Sequence, residues 1–204
     1  MSITLLLVII TVGISLYAFS NRKVFDQLKF NAVDIWHNRE YHRMISNVFL
    51  HADLAHLMFN MLALYSFGTI IERQFSVTYG QYGSTVYILF YFMAAAFANS
   101  YNLVKHRDDS FYNSVGASGA VSAILFAFVL FYPNSRDIQI YFIPIPLPAW
   151  ILGALYLVLS TVFAQRGGSR IDHMAHFMGA IFGFFFPMIG HAYIVEHFVK
   201  SILP

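Results

Sequence analysis

The sequence predicts an all-α polytopic membrane protein, a compact bundle of six transmembrane helices with an interfacial first loop. Three observations predict it. Of 204 residues, 58% are hydrophobic and 11% charged, whereas soluble domains carry about 25% charged residues. The mean hydropathy is +0.62. Apolar, uncharged runs recur along the chain, several of them near the roughly 20 residues a helix needs to cross a bilayer. Unpaired backbone groups are too costly in lipid for such runs to be anything but helices.

The first run, residues 3–19, lacks the N-terminal Lys or Arg of a secretory signal and has no small-x-small cleavage site after it. It reads as a retained span. Residues 20–52 are too polar to cross and too rich in Phe, Ile and Val for a floppy linker. Short helices lying in the interface are expected there, anchored by Trp36. The second span covers about 54–71, closed by Glu72 and Arg73, and the third about 82–104, closed by KHRDD. The fourth runs from near Val115 to Tyr132–Pro133. IPIPLP (143–148) introduces the fifth, about 149–164, and QRGGSRID (165–172) leads to the sixth, about 173–193. Residues 1–204 are read as one membrane domain with no appended soluble domain.

Net charge is +2, with no basic run long enough for a nucleic-acid surface, so no nucleic-acid partner is expected. The chain has no Cys, which excludes disulfides and thiolate metal sites.

Polar residues inside spans are costly and mark functional interiors. Because consecutive spans alternate in direction, the starts of spans two, four and six share one leaflet. Polar side chains gather there: His51, His56 and Asn60; Asn113, Ser114 and Ser118; His173 and His176. In SVGASGAVSA (114–123), small residues surround Ser118. They let another backbone approach and leave the hydroxyl unobstructed, although such runs are also plain packing faces. In HMAHFMGAIFG (173–183), His176 shares a helix face with Gly179 and Gly183. Glycines pressed against span four would bring the imidazole to the serine, and neutral His is the usual base for a serine nucleophile. The alternative for His176 is a buried interhelical hydrogen bond. His56 and Asn60, four apart, also share a face. They suit either a pair of oxyanion donors or a polar clasp between spans. The four histidines could in principle ligate a metal, but there is no H-E-x-x-H and no in-span carboxylate beside them. Neither a metal nor a cofactor is expected. Asp172 lies a full turn from His176, so a Ser-His dyad is favoured over a triad.

These motifs together resemble the rhomboid family of intramembrane serine proteases, of the six-span type common in bacteria. GASG (116–119) resembles the family's G-x-S-G, AHFMGAIFG (175–183) its A-H-x-x-G-x-x-x-G, and HADLAHLMFN (51–60) its H-x-x-x-x-H-x-x-x-N. The resemblance implies Ser118 as nucleophile, His176 as general base and acid, and His56 and Asn60 as oxyanion donors. It implies cleavage of transmembrane segments of membrane-protein substrates within the lipid bilayer. It also implies a water-filled cavity ringed by the histidines under residues 110–117, a fifth span that moves sideways to admit substrate, and residence in a bacterial inner membrane. The alternative is a catalytically inactive rhomboid-like factor that binds or escorts membrane proteins; retention of Ser118 and His176 argues against it. Two positions depart from the pattern. His42-Arg43 stands where the family often has Trp-Arg. Ser122 stands where many members have an aromatic residue packed on the catalytic imidazole, so a Tyr or Phe of a neighbouring span is expected to steady His176. The family topology places nine of the twelve Lys and Arg on the outer side, the reverse of the positive-inside preference.

Overall fold

The computed structural model describes residues 2–136, 139–140, 143–144, 147–166 and 172–203. Most of QRGGSRID and part of IPIPLP lie outside the described residues. Helix α1 (Ile3–Ser20) buries Thr4, Leu7, Thr11, Ser15 and Ala18 and turns Ile9, Leu16 and Phe19 outward. Small and hydroxylated residues inside with large apolar ones outside is the pattern of a helix bathed in lipid. The polar segment that follows forms α2 (Arg22–Leu28), α3 (Ala32–Trp36) and α4 (Arg43–Ser46). Between α2 and α3, β1 (Phe30–Asn31) pairs antiparallel with β2 (Asn113–Ser114). Arg43 is buried, and its guanidinium donates to the Asp26 and Lys29 carbonyls at 2.7 and 3.0 Å. Trp36 is half-exposed, with the Arg107 guanidinium 5.9 Å from its ring centre.

Helices α5 (Leu54–Tyr79) and α6 (Gly83–Lys105) fold back on each other through a single 3-10 turn. Buried residues of α5 fall at 57, 60, 61, 64, 68, 71 and 75, one face at helical spacing. Helix α7 (Ser118–Phe131) is buried over nearly its whole surface and sits at the centre, packed by α5, α6 and α9. Helix α8 (Ala149–Arg166) lies against α9 (His173–Phe185) and α7. Two-residue strands β3 (Gln139–Ile140) and β4 (Ile143–Pro144) pair between α7 and α8.

Helices α1, α5, α6, α7, α8 and α9 begin near the expected starts of the apolar runs. Among the described residues, only α1 and the 52-residue α5–α6 stretch have the length and hydropathy of full crossings on their own. Two boundaries differ from the sequence expectation. Helix α5 runs past Glu72 for two further turns, because that side chain has partners inside the protein. The sixth span does not reach Tyr193: after α9 and a 3-10 turn ending at Met188, the chain bends by 114° into α10 (Ala192–Ile202). Pro187, which has no N–H to extend a helix, and Gly190, at φ +77°, mark the bend.

Glu72 joins three helices. Its oxygens accept from the Ile3 and Thr4 amides at 2.8 and 2.9 Å and from the Thr4 hydroxyl at 2.7 Å. The Ser2 hydroxyl takes the Leu5 amide, so the orphan donors of the first turn of α1 are satisfied. The same Thr4 hydroxyl meets the buried Tyr87 phenol of α6 at 2.9 Å. Glu72→Ala strands these donors and is expected to cost about 2–4 kcal/mol, read as a lower melting temperature in detergent. An unchanged melt would show that α1 needs no such cap.

Candidate functional site

Ser118 is the first residue of α7, so its amide and those of Gly119 and Ala120 belong to the first, unpaired turn of a helix. The loop before it is held from two directions. Gly116 adopts φ +131°, a conformation suited to glycine, and its amide donates to the Asn47 carbonyl at 3.0 Å. The Ala117 amide donates to His51 Nε2 at 3.5 Å, while His51 Nδ1 meets the Ser15 hydroxyl at 2.9 Å and Ser15 donates to the Phe49 carbonyl at 2.7 Å. This chain of bonds assigns the His51 proton to Nδ1. It leaves His51 no free nitrogen for a metal.

His56 lies in the first turn of α5, which Asp53 caps by accepting the His56 amide at 2.8 Å. His56 Nδ1 accepts from the Ala52 amide at 3.4 Å, which assigns the proton to Nε2. That Nε2 faces Gly116: a Cβ on Gly116 would sit 3.0 Å from it and 3.7 Å from Ser118 Oγ. Asn60 is buried one turn further along and donates to the His56 carbonyl at 2.9 Å.

Helices α7 and α9 meet backbone to backbone. A Cβ on Gly179 would lie 2.1 Å from the Gly119 carbonyl oxygen, and one on Gly183 would lie 2.0 Å from that of Ala123. Built on Gly119, it would lie 3.5 Å from the Ala175 oxygen. Ser118 and His176 are the immediate chain neighbours of Gly119 and Ala175, and so flank this contact on their respective helices. Ser118 Oγ makes no hydrogen bond to His176 among the described residues. His173 presents its ring edge-on to His176 at 6.2 Å.

A cavity of about 10 Å³ lies beside Ser118, about the space of one water. Its polar lining comes from Asn47, Asn99, Ser114 and Asp172, where the sequence reading expected a ring of histidines. Among the described residues no three His, Cys, Asp or Glu side chains converge as a metal site would need.

Sequence reasoning set Asp172 aside by its distance along the helix from His176. In the fold it is the N-cap of α9, accepting the Ala175 amide at 2.9 Å. It also accepts from Asn102 at 2.6 Å, Tyr112 at 2.8 Å and Ser114 at 3.3 Å. Burial and the neighbouring Asp172 push the Tyr112 phenol above its usual range, so it stays a donor. An Asp just before an apolar run was the readable cap signal. Asp172→Ala should release residues 106–117 from α9, seen as faster amide exchange at Tyr112–Ser114; unchanged protection would reject the latch.

The imidazole partner expected from a neighbouring span is Tyr156 of α8. Its ring lies 6.3 Å from that of His176, with the planes 20° apart.

A family model described as "Rhomboid domain" matches residues 38–193. The chain is 32% identical over 158 residues to RHOMBOID-like protein 12, mitochondrial, of Arabidopsis thaliana, covering 73% of this chain and 46% of that one. It is 34% identical over 146 residues to Rhomboid protease GluP of Bacillus subtilis (strain 168), covering 72% and 25%. It is 29% identical over 153 residues to presenilin-associated rhomboid-like protein, mitochondrial, of Homo sapiens, covering 74% and 38%. The matched part thus spans less than half the length of each of these relatives. Two of the three carry a mitochondrial designation and one is bacterial, so they lend no support to the bacterial inner membrane expected from the sequence. With the apolar helices they agree on an integral membrane protein. The match over most of its length means that the chain belongs to the rhomboid family.

Proposed function

We propose that this chain is an intramembrane serine endopeptidase that cuts a peptide bond within or beside a transmembrane segment of another membrane protein. In this reading Ser118 Oγ attacks the scissile carbonyl carbon as His176 takes the hydroxyl proton. His176 returns that proton to the leaving amine as the C–N bond breaks. A water, deprotonated by His176, then attacks the acyl carbon and frees Ser118. The oxyanion is met by the Ser118 amide at the positive end of α7, by His56 Nε2–H and by the Asn60 amide. No metal or cofactor enters the scheme.

The observation that supports this reading most is the backbone contact of Gly119, which follows Ser118, with Gly179, one turn after His176. Support also comes from the length of α7. Its 14 residues span roughly 21 Å, short of the roughly 30 Å hydrocarbon core. A serine at one end of such a helix would begin inside the bilayer, where a substrate helix would have to unwind to offer its backbone.

The test is cleavage of a model transmembrane substrate by the purified protein in detergent, with and without EDTA, against Ser118→Ala. Product from the wild type alone, unaffected by EDTA, is the expected result. Equal product from both proteins would reject the mechanism. Substrate bound by the wild type without product would favour the escort alternative.

A further inference from the structure

We propose that Tyr156 of α8, fixed by Ser122 of α7, is the positioning residue for the His176 imidazole. The inference rests on the reading of Ser118 and His176 as nucleophile and base. Ser122, one turn after Ser118, offers only a hydroxyl, so α7 cannot itself lay a ring on the imidazole. Instead its Oγ lies 2.6 Å from the Tyr156 phenolic oxygen, with either group able to donate. One turn further along α7, the Phe126 ring packs on Tyr156 at 5.7 Å between centres. Tyr156 is thus held by two α7 side chains while its ring lies near-parallel to His176, within the 4.5–7 Å range of offset-stacked rings.

Among the described residues, the ring of His173 also lies beside His176 and meets it edge-on, whereas that of Tyr156 lies near-parallel to it. Asp172 is engaged by Asn102, Tyr112, Ser114 and the helix cap. The orientation of the base is therefore set from α8, a peripheral helix whose Val158, Leu159 and Val162 face outward. Displacing α8 from α7 would withdraw Tyr156 and leave the imidazole free to rotate. Seating of α8 and competence of the base become one event.

The test measures kcat and KM on a transmembrane substrate, together with the rate at which a fluorophosphonate labels Ser118. Tyr156→Ala is expected to lower kcat and the labelling rate about tenfold or more with little change in KM. Tyr156→Phe keeps the ring and loses the tether. It and Ser122→Ala should each cost only about two- to fivefold, and together no more than either alone, since both remove the same hydrogen bond. Wild-type labelling in Tyr156→Ala, or a Phe variant as impaired as the Ala variant, would overturn the proposal. If Tyr156→Ala fails to fold, additive losses in the Ser122→Ala/Tyr156→Phe pair would overturn it instead. Ser118→Ala separates the two levels. Labelling that persists there rejects the underlying reading, whereas labelling lost there but intact in Tyr156→Ala rejects this inference alone.

Discussion

Ser118→Ala and His176→Ala are each expected to reduce cleavage at least ~10⁴-fold while leaving the protein folded. The magnitude follows from the proposed nucleophile and base acting as one unit, so that losing either would remove covalent catalysis entirely. The fold should survive because Ser118 Oγ enters no hydrogen bond among the described residues and the α7–α9 contact runs through Gly119, Gly179 and Gly183. A fluorophosphonate should label Ser118 in the wild type, and labelling should require His176. The neighbouring imidazole supplies the control. His173 lies on α9 with its ring 6.2 Å from His176, so His173→Ala should keep much more activity than His176→Ala. The reverse ranking would mean that the base is His173. Parallel melting curves decide whether a lost activity is chemical or structural.

The helices were readable because lipid leaves an apolar run few alternatives. Where the reading slipped, a long-range partner or an overlooked punctuator was responsible. Glu72 and Arg73 looked like the end of a span, yet Glu72 is satisfied by the start of α1, a partner far away in sequence. Residues 173–193 looked continuous because they are mostly apolar and carry no charged residue apart from histidines, while Pro187 and Gly190 already marked the bend into α10. In α10, Ile194 packs inward and Glu196 and Lys200 stay exposed, an amphipathic pattern that was there to be read. The β1–β2 pairing left no signal, since two residues per strand carry no period. Candidate site residues were legible in part because each motif is local: a serine among small residues, a histidine in phase with two glycines, a histidine and asparagine four apart. Tyr156 was not, because nothing in the fifth span marks one tyrosine as facing the sixth. Its role emerges only when Ser122, His176 and Tyr156 are seen together in three dimensions.

Gly179→Ala should be among the most damaging single-methyl additions at the described glycines. The added Cβ would sit 2.1 Å from the Gly119 carbonyl oxygen, whereas ordinary contacts begin near 3.5 Å. The obstacle is backbone of the central helix, which cannot swing aside as a side chain can. Helix α9 must therefore shift by more than an ångström or α7 must deform, at an expected cost of about 3 kcal/mol or more. His176 is one turn from Gly179 on the same face, so the shift is carried to the imidazole, and a displacement of that size is worth about 10² in rate. Stability and cleavage should thus fall together, and Gly183→Ala, with its Cβ 2.0 Å from the Ala123 oxygen, should behave alike. Gly13→Ala is the matched control: nothing lies within 4 Å of its Cβ, and alanine is the better helix former by about 1 kcal/mol. That variant should melt no lower than the wild type and cleave equally well. If Gly179→Ala also melted and cleaved like the wild type, α7 and α9 would not be in backbone contact, and the juxtaposition of Ser118 with His176 would lose its structural basis.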